Sequence, residues 1–328
     1  MSGGLPPGAV SPFAGVRVVV VGSAMVDQIT YCRRVPEEGE TLRADRHVQG
    51  FGGKGANQAL MAARLGATVT FVGCIGDDAS GAATIDNLAS HGVDTSAVSV
   101  VAGSATGVAP IWVDESGANR ILIAGGANDA LEAGRVAAAL DGLGWEPDVI
   151  IAQLETPQDA VAAGLAWGLA HGAHTVLNPA PAAPIDAELS SAAEWLVANE
   201  SEFAALFGVV PDITAVADAV SRGGHRIVVT LGADGAIFAD GEASGHITAP
   251  AVVPVDTTGA GDAFVGAFGV ALGAGLRAAD AVHLGCAAGA LSVTAPGTQT
   301  SLPSLRDVLQ VLPQTTTMKS INSDWSPR

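Results

Sequence analysis

The segment Val255-Asp-Thr-Thr-Gly-Ala-Gly-Asp-Ala-Phe264 holds the residues best suited to chemistry in this chain. Gly259, Ala260 and Gly261 are small enough for a ligand to come close to the backbone, and an apolar run of helical period follows them. The first N–H groups of a helix have no internal partner and lie at the positive end of its dipole, which suits a phosphate. Asp262 would then stand beside an anion hole, where a carboxylate is repelled unless it has a task. Phosphoryl transfer supplies one, because an aspartate can accept the proton of the attacking hydroxyl. The same residues fit ordinary helix capping by Asp256 or Asp262 after a turn, and the segment alone leaves both readings open.

A second glycine-rich stretch, Phe51-Gly-Gly-Lys-Gly-Ala-Asn-Gln-Ala59, also stands at a helix entrance. It lacks the GxxxxGK[ST] spacing of a Walker A loop. Around Gly53, Lys54 and Asn57 carry donors on a tightly turning backbone that can approach a polyol, though a turn with an exposed lysine reads equally well. A third stretch, Gly22-Ser-Ala-Met-Val-Asp27, follows a strand. Its Asp27 could accept two sugar hydroxyls or simply cap a helix. The missing GxGxxG at this point argues against a dinucleotide site and a nicotinamide-dependent dehydrogenase. Glu155, in Gln153-Leu-Glu155, and Asn199 and Glu202, in Asn199-Glu-Ser-Glu202, stand where strands end and helices begin. Polar groups there converge on the crevice of an α/β sheet, with capping as the alternative. Thr230-Leu-Gly232-Ala-Asp-Gly235 reads as a strand end and turn. The seven histidines show no metal-ligand spacing.

The elements that must position these groups alternate. Apolar runs at 16–22, 68–74, 148–152, 174–178, 194–198 and 226–231 fit strands buried on both faces. Alanine-rich stretches at 55–65, 80–91, 156–171, 201–207, 214–222, 260–274 and 278–294 have helical period. This rhythm predicts a doubly wound, mainly parallel α/β sheet flanked by helices. Residues 28–51 and 104–124 break it with β-like runs joined by turns at Glu38-Gly39 and Ser116-Gly117. They are expected to form a small antiparallel sheet, a lid over the carboxyl ends of the parallel strands. Residues 1–15 and 313–328 are polar or aperiodic and are expected to be disordered.

With 328 residues, 48% of them hydrophobic, the chain can bury a large core. A net charge of −18 opposes binding to nucleic acid or an anionic membrane surface. Three widely spaced cysteines, Cys32, Cys74 and Cys286, predict neither a disulfide framework nor a zinc site. A cytoplasmic protein with reduced thiols is the expectation.

Taken together and in this order, the segments closely resemble the ribokinase branch of the PfkB carbohydrate kinase family. GGKGANQA at 52–59 resembles its first signature and DTTGAGDAF at 256–264 its second, within a likeness running from about residue 16 to 312. The resemblance implies an ATP-dependent kinase acting on the 5-hydroxyl of D-ribose or 2-deoxy-D-ribose. Asp262 would be the general base, and the backbone of Gly259, Ala260 and Gly261 the anion hole. Asp27, Gly53, Lys54, Asn57 and Glu155 match positions that hold the sugar. Asn199 and Glu202 match an NxxE motif that organises magnesium and the ATP phosphates. Thr230, Gly232 and Gly235 fall at the nucleotide site, with Cys286 near the adenine. A potassium ion would be held by Asp256, Thr258, Val293, Pro296, Thr298 and Ser301. The lid would pair between subunits of a homodimer. One departure stands out: ribokinases usually have asparagine where this chain has Met25. Methionine offers a sugar hydroxyl no hydrogen bond, and Met25 with its neighbours is more similar to the deoxyribokinase branch. A nucleoside or ketohexose kinase of the same family, or a non-catalytic sugar-binding regulator, is the alternative reading.

Overall fold

The computed structural model describes residues 11–312 except Gly117, so residues 1–10, the tail at 313–328 and the glycine of the Ser116-Gly117 turn lie outside the described residues. The first half of the chain runs β1 (Arg17–Val21), β2 (Met25–Tyr31), β3 (Arg46–Gly52), α1 (Lys54–Arg64), β4 (Thr68–Gly76) and α2 (Ala79–Ser90). It continues through β5 (Val93–Asp94), β6 (Val98–Val101), β7 (Gly107–Val113), β8 (Asn119–Ile121) and a 3-10 turn (Gly126–Ala130) to α3 (Ala133–Asp141). The second half runs β9 (Val149–Gln153), α4 (Gln158–Ala170), β10 (His174–Asn178), α5 (Ala187–Ala192), β11 (Trp195–Asn199), α6 (Glu200–Phe207) and α7 (Ile213–Gly223). It closes with β12 (Arg226–Thr230), a hairpin of β13 (Ala236–Ala239) and β14 (Ser244–Ile247), then α8 (Ala260–Gly273), α9 (Ala278–Ser292) and α10 (Leu305–Val311).

Ten strands form one sheet in the order β14-β13-β12-β11-β10-β9-β1-β4-β5, with β6 also on β4. From β12 across to β5 every pair is parallel, while β13 and β14 add an antiparallel edge. The continuous apolar strands follow from burial on both faces. In β1, Val18 and Val20 enter one core with α1, α8, α9 and α10, whereas Val19 and Val21 enter another with α3, α4 and α7. Burying each such side chain contributes on the order of 1.5–3 kcal/mol. Helix α8 is apolar nearly all round because it is enclosed: every residue from Asp262 to Leu272 is buried.

The second sheet is the expected lid, in the order β3-β2-β7-β8. Its outer pairs are antiparallel, but its central pair, β2 with β7, is parallel. A hairpin cannot join such a pair, so the whole of α1, β4 and α2 lies between them in the chain. The lid also begins at Met25, three residues earlier than expected. At the amino end the expected disorder over 1–15 is corrected for its last residues. Ser11 donates to the Leu65 carbonyl at 2.6 Å, and Phe13 is fully buried in the core. The aromatic ring, between Pro12 and Ala14, has no periodic pattern to announce it.

Candidate active site

From β1 the chain moves to β4 on one side and later returns to β9 on the other. The carboxyl ends of β1 and β9 therefore flank the switch point where such sheets open a crevice. The loop after β1 supplies Ser23, whose hydroxyl donates to Glu155 beyond β9 at 2.6 Å. The same Glu155 oxygen accepts the Lys54 amide at 2.9 Å. Burial pushes the Glu155 carboxyl above its usual range, against the pull of the Lys54 ammonium and these two hydrogen bonds. The loop is fixed from behind by buried Asn128, which accepts from the Ala24 amide and donates to its carbonyl, both at 3.0 Å.

Glycines let the start of α1 press against this loop. Gly53 has φ of +89°, a region other residues avoid. A Cβ on Gly52 would come within 2.2 Å of the Asp27 carboxylate. Asp27 is therefore a lid residue on β2 that faces the cleft, and it caps no helix. Its Oδ2 accepts from Thr298 Oγ1 at 3.2 Å. Burial raises its pKa to about 6; the Thr298 hydrogen bond opposes the rise, and the negative Glu155 and Asp262 add to it.

At the start of α8, Gly259 has a φ of +79° and no side chain caps the helix. Among the described residues no acceptor meets the amides of Gly261 and Asp262, and a Cβ on Gly261 would meet nothing within 4 Å. Bare donors thus face a cavity of about 190 Å³, lined also by Lys54, Asn199, Glu202 and Thr230. Asp262 is buried but opens on this cavity. Its Oδ2 accepts from Asn57 Nδ2 at 2.8 Å and its Oδ1 from Gln58 Nε2 at 3.0 Å. Burial alone would lower the Lys54 pKa, but Asp262, Glu155 and Glu202 more than offset it and leave the ammonium firmly charged. Asn199 and Glu202 form a capping box at the start of α6, with both reciprocal bonds at 2.8 Å. Burial raises the Glu202 pKa.

Further along the crevice, Thr230 lines the cavity but Gly232, Gly235 and Cys286 do not. Gly235, at φ +97°, lies so close to β14 that a Cβ would come within 1.9 Å of the Ile247 carbonyl oxygen. Cys286 packs against the same carbonyl, Sγ to O 3.9 Å, and burial pushes its thiol up to about 12. Asp256 ties two loops together, accepting the Thr258 and Gly297 amides at 3.0 Å each. These bonds hold its carboxyl below the usual range although burial opposes them. The Val293 carbonyl accepts from the Val255 and Asp256 amides, that of Pro296 from Thr300, and that of Thr298 from Ser301 Oγ at 3.2 Å.

Residues 16–305 match the pfkB family carbohydrate kinases. This chain belongs to the PfkB family. Two relatives of the PfkB chain are each 38% identical to it: deoxyribokinase of Salmonella typhi and ribokinase of Staphylococcus aureus. The first alignment covers 90% of this chain and 98% of the relative, the second 90% and 99%. The PfkB chain superposes on the crystal structure of ribokinase from Thermotoga maritima with a TM-score of 0.82 and 32% identity, over 90% of this chain and 99% of the other. Arabidopsis thaliana ribokinase complexed with ribose and ATP gives the same TM-score at 31% identity, over 92% and 99%.

Several residues of this PfkB site were not among the sequence candidates. Ser23, Gln58, Asn128, Asn178 and Gln299 are all buried polar side chains at or behind the cleft. Only Gln58 carried a signal, as the neighbour of Asn57 in GGKGANQA. The others act across more than a hundred residues of chain, so no local spacing marks them.

Proposed function

We propose that this PfkB kinase transfers the terminal phosphoryl group of ATP to the 5-hydroxyl of D-ribose or 2-deoxy-D-ribose. The observation that carries the reading is Asp262, a buried carboxylate at the uncapped start of α8, in one cavity with Lys54 and Glu202. Asp27 and Glu155 accept sugar hydroxyls, while Lys54, Asn57 and the close backbone at Gly53 hold the ring from the other side. Asp262 takes the proton from the 5-hydroxyl as its oxygen attacks phosphorus. The backbone turn of Gly259, Ala260 and Gly261, with the bare amides of Gly261 and Asp262, then stabilises charge on the transferring group. Most of the acceleration comes from this positioning and preorganised charge.

ATP brings more negative charge to a cleft where Glu155, Glu202 and Asp262 act on one ammonium and Asp27 adds a further carboxyl beside Glu155 and Asp262. Magnesium entering with the nucleotide fits that imbalance, and Asn199 and Glu202 are the residues that would organise it, supplying charge neutralisation at the phosphates. Thr230, Gly232 and Gly235 form the strand end and turn for the nucleotide. A monovalent cation, potassium, fits beside Asp256, whose ionised carboxyl knots residues 256–258 to 293–301. Its role there is to fix the loop that leads into the anion hole. The kinase works in the cytoplasm, where ATP is available; among the described residues no helix is long and apolar enough to cross a membrane.

On the sugar, Met25 favours 2-deoxy-D-ribose: leaving a buried hydroxyl unpaired against it costs about 1–3 kcal/mol. The burial of Met25, only 1% exposed, favours a second reading in which it packs beneath the pocket and D-ribose is the substrate. ADP release measured with both sugars side by side, with magnesium and potassium present, tests both. A higher kcat/KM for deoxyribose makes Met25 the selective wall, and a higher value for ribose makes it packing. Sugar binding without any ADP release would leave only a regulator.

A further inference from the structure

Behind Asp262 lies a chain of buried amides, of which Asn178 touches the cavity while Gln58 and Gln153 lie outside its lining. Gln58 and Gln153 are fully buried and Asn178 nearly so. Asn178 Nδ2 donates to the Val197 carbonyl at 2.8 Å. A carbonyl only accepts, so this bond fixes which way the Asn178 amide faces and turns its Oδ1 toward Gln58 Nε2, at 3.2 Å. From the other side, Gln153 Nε2 donates to Gln58 Oε1 at 2.6 Å. Gln58 is thereby left with one orientation, its Nε2 directed at Asp262 Oδ1 at 3.0 Å. Asn57, in contact with the other carboxylate oxygen, is oriented separately by Gln299, which donates to its Oδ1 at 3.0 Å.

We propose that Gln58 is a positioning residue for the reaction, held by Gln153 and Asn178 so that it aims the Asp262 carboxylate at the sugar hydroxyl. The inference rests on Asp262 being the base. Three parallel strands converge on this one side chain, through Gln153 at the end of β9, Asn178 at the end of β10 and Val197 on β11. The carboxylate is thus registered against the rigid sheet, and not only against the first turn of its own helix. Misplacing a reacting group by about 1 Å can cost on the order of 100-fold in rate. The chain also gives up stability for the arrangement. Gln153 Oε1 is buried with no partner among the described residues, a state proteins rarely keep without a use. Gly22 leaves room for it, since a Cβ there would lie 2.0 Å from that oxygen. Helices α1 and α8 approach so closely that a Cβ on Gly266 would meet the Gln58 carbonyl oxygen at 2.6 Å, which brings Gln58 within reach of Asp262.

The test compares Gln58→Met, Gln153→Met and Asp262→Asn by steady-state kinetics with pentose and ATP. Removing a hydrogen bond to a charged group predicts a fall in kcat of about 10- to 100-fold for Gln58→Met. KM for both substrates should stay within about threefold, because Gln58 touches neither. Gln153→Met should give a smaller loss of the same kind. Placed in the Asp262→Asn background, Gln58→Met should cost nothing more, as expected for residues acting as a unit. If Gln58→Met keeps kcat within twofold while Asp262→Asn collapses, the inference is wrong and the base assignment stands. An equal loss in both backgrounds also overturns it. If Asp262→Asn remains active, the underlying reading fails instead. Should Gln58→Met not fold, Gln153→Met decides: an unchanged kcat refutes the relay.

Discussion

At the scale of single residues, the cleft sets three carboxyls, Glu155, Glu202 and Asp262, around Lys54, one of only two lysines in the chain, with Asp27 as a fourth acidic group close to Glu155 and Asp262. Asp27 shows what this balance costs. Its carboxyl has a pKa of about 6 in the folded protein against an ordinary 3.8, so the native state holds its proton more tightly than the unfolded chain does. The resulting stabilisation is complete below pH 3.8 and is lost as pH rises through 6; above that the ionised group costs about 3 kcal/mol. The proposed sugar-binding role uses the costly form, because the carboxylate is the form that would accept two hydroxyls without donating a proton of its own. kcat/KM for the sugar should therefore fall on the acid side with an apparent pKa near 6. Asp27→Asn should abolish that limb, lower sugar affinity and raise stability at pH 8. An unchanged acid limb in the variant would show that another group controls it.

At the scale of elements, the start of α8 must serve both as a helix terminus and as a binding surface. A helix normally satisfies its first amides with a capping side chain; here Gly259 takes the cap position and the amides of Gly261 and Asp262 are left bare among the described residues. Gly261→Ala separates the two roles. Nothing lies within 4 Å of the new Cβ, and alanine is the better helix former, so stability should rise by a few tenths to about 1 kcal/mol. The methyl group would project into the proposed phosphoryl site, so kcat should fall at least about tenfold with a higher KM for ATP. Thermal unfolding and kinetics on the same preparation check both halves of this expectation. Loss of stability instead would mean that the backbone there needs glycine for its own conformation.

At the scale of the whole molecule, the lid leaves Leu42, Val48, Ile121, Leu122 and Ile123 exposed. Val48 and Ile121 stand on β3 and β8, the two edges of the lid sheet, Leu122 is 59% exposed, and exposed apolar side chains of this kind suit a meeting surface. The expected lid-to-lid homodimer would cover these side chains, working against the −18 charge on each chain, which added salt would screen. Sedimentation should show a dimer that tightens with ionic strength, and a Val48→Glu, Leu122→Glu double variant should be monomeric with a raised KM for the sugar. A wild-type chain that stays monomeric at all salt concentrations would remove the dimer.

The sequence by itself determined the parallel α/β core, because strands buried on both faces and helices of regular period leave local patterns. All six strands and seven helices anticipated from those patterns are present within a few residues. It also determined the two glycine motifs, since close backbone approach demands small residues at fixed spacing. Short amphipathic helices such as α3 and α10, and the β13–β14 hairpin, left too brief a pattern to read. Only the tertiary structure decided where isolated polar residues belong. Asp27 alone reads as a helix cap, and the pairing of β2 with β3 and β7 makes it a cleft residue. Likewise Gln58, Gln153, Asn178 and Asp262 are spread over some two hundred residues of chain. A hydrogen bond between such distant side chains depends on strand order and helix packing, which no local spacing encodes.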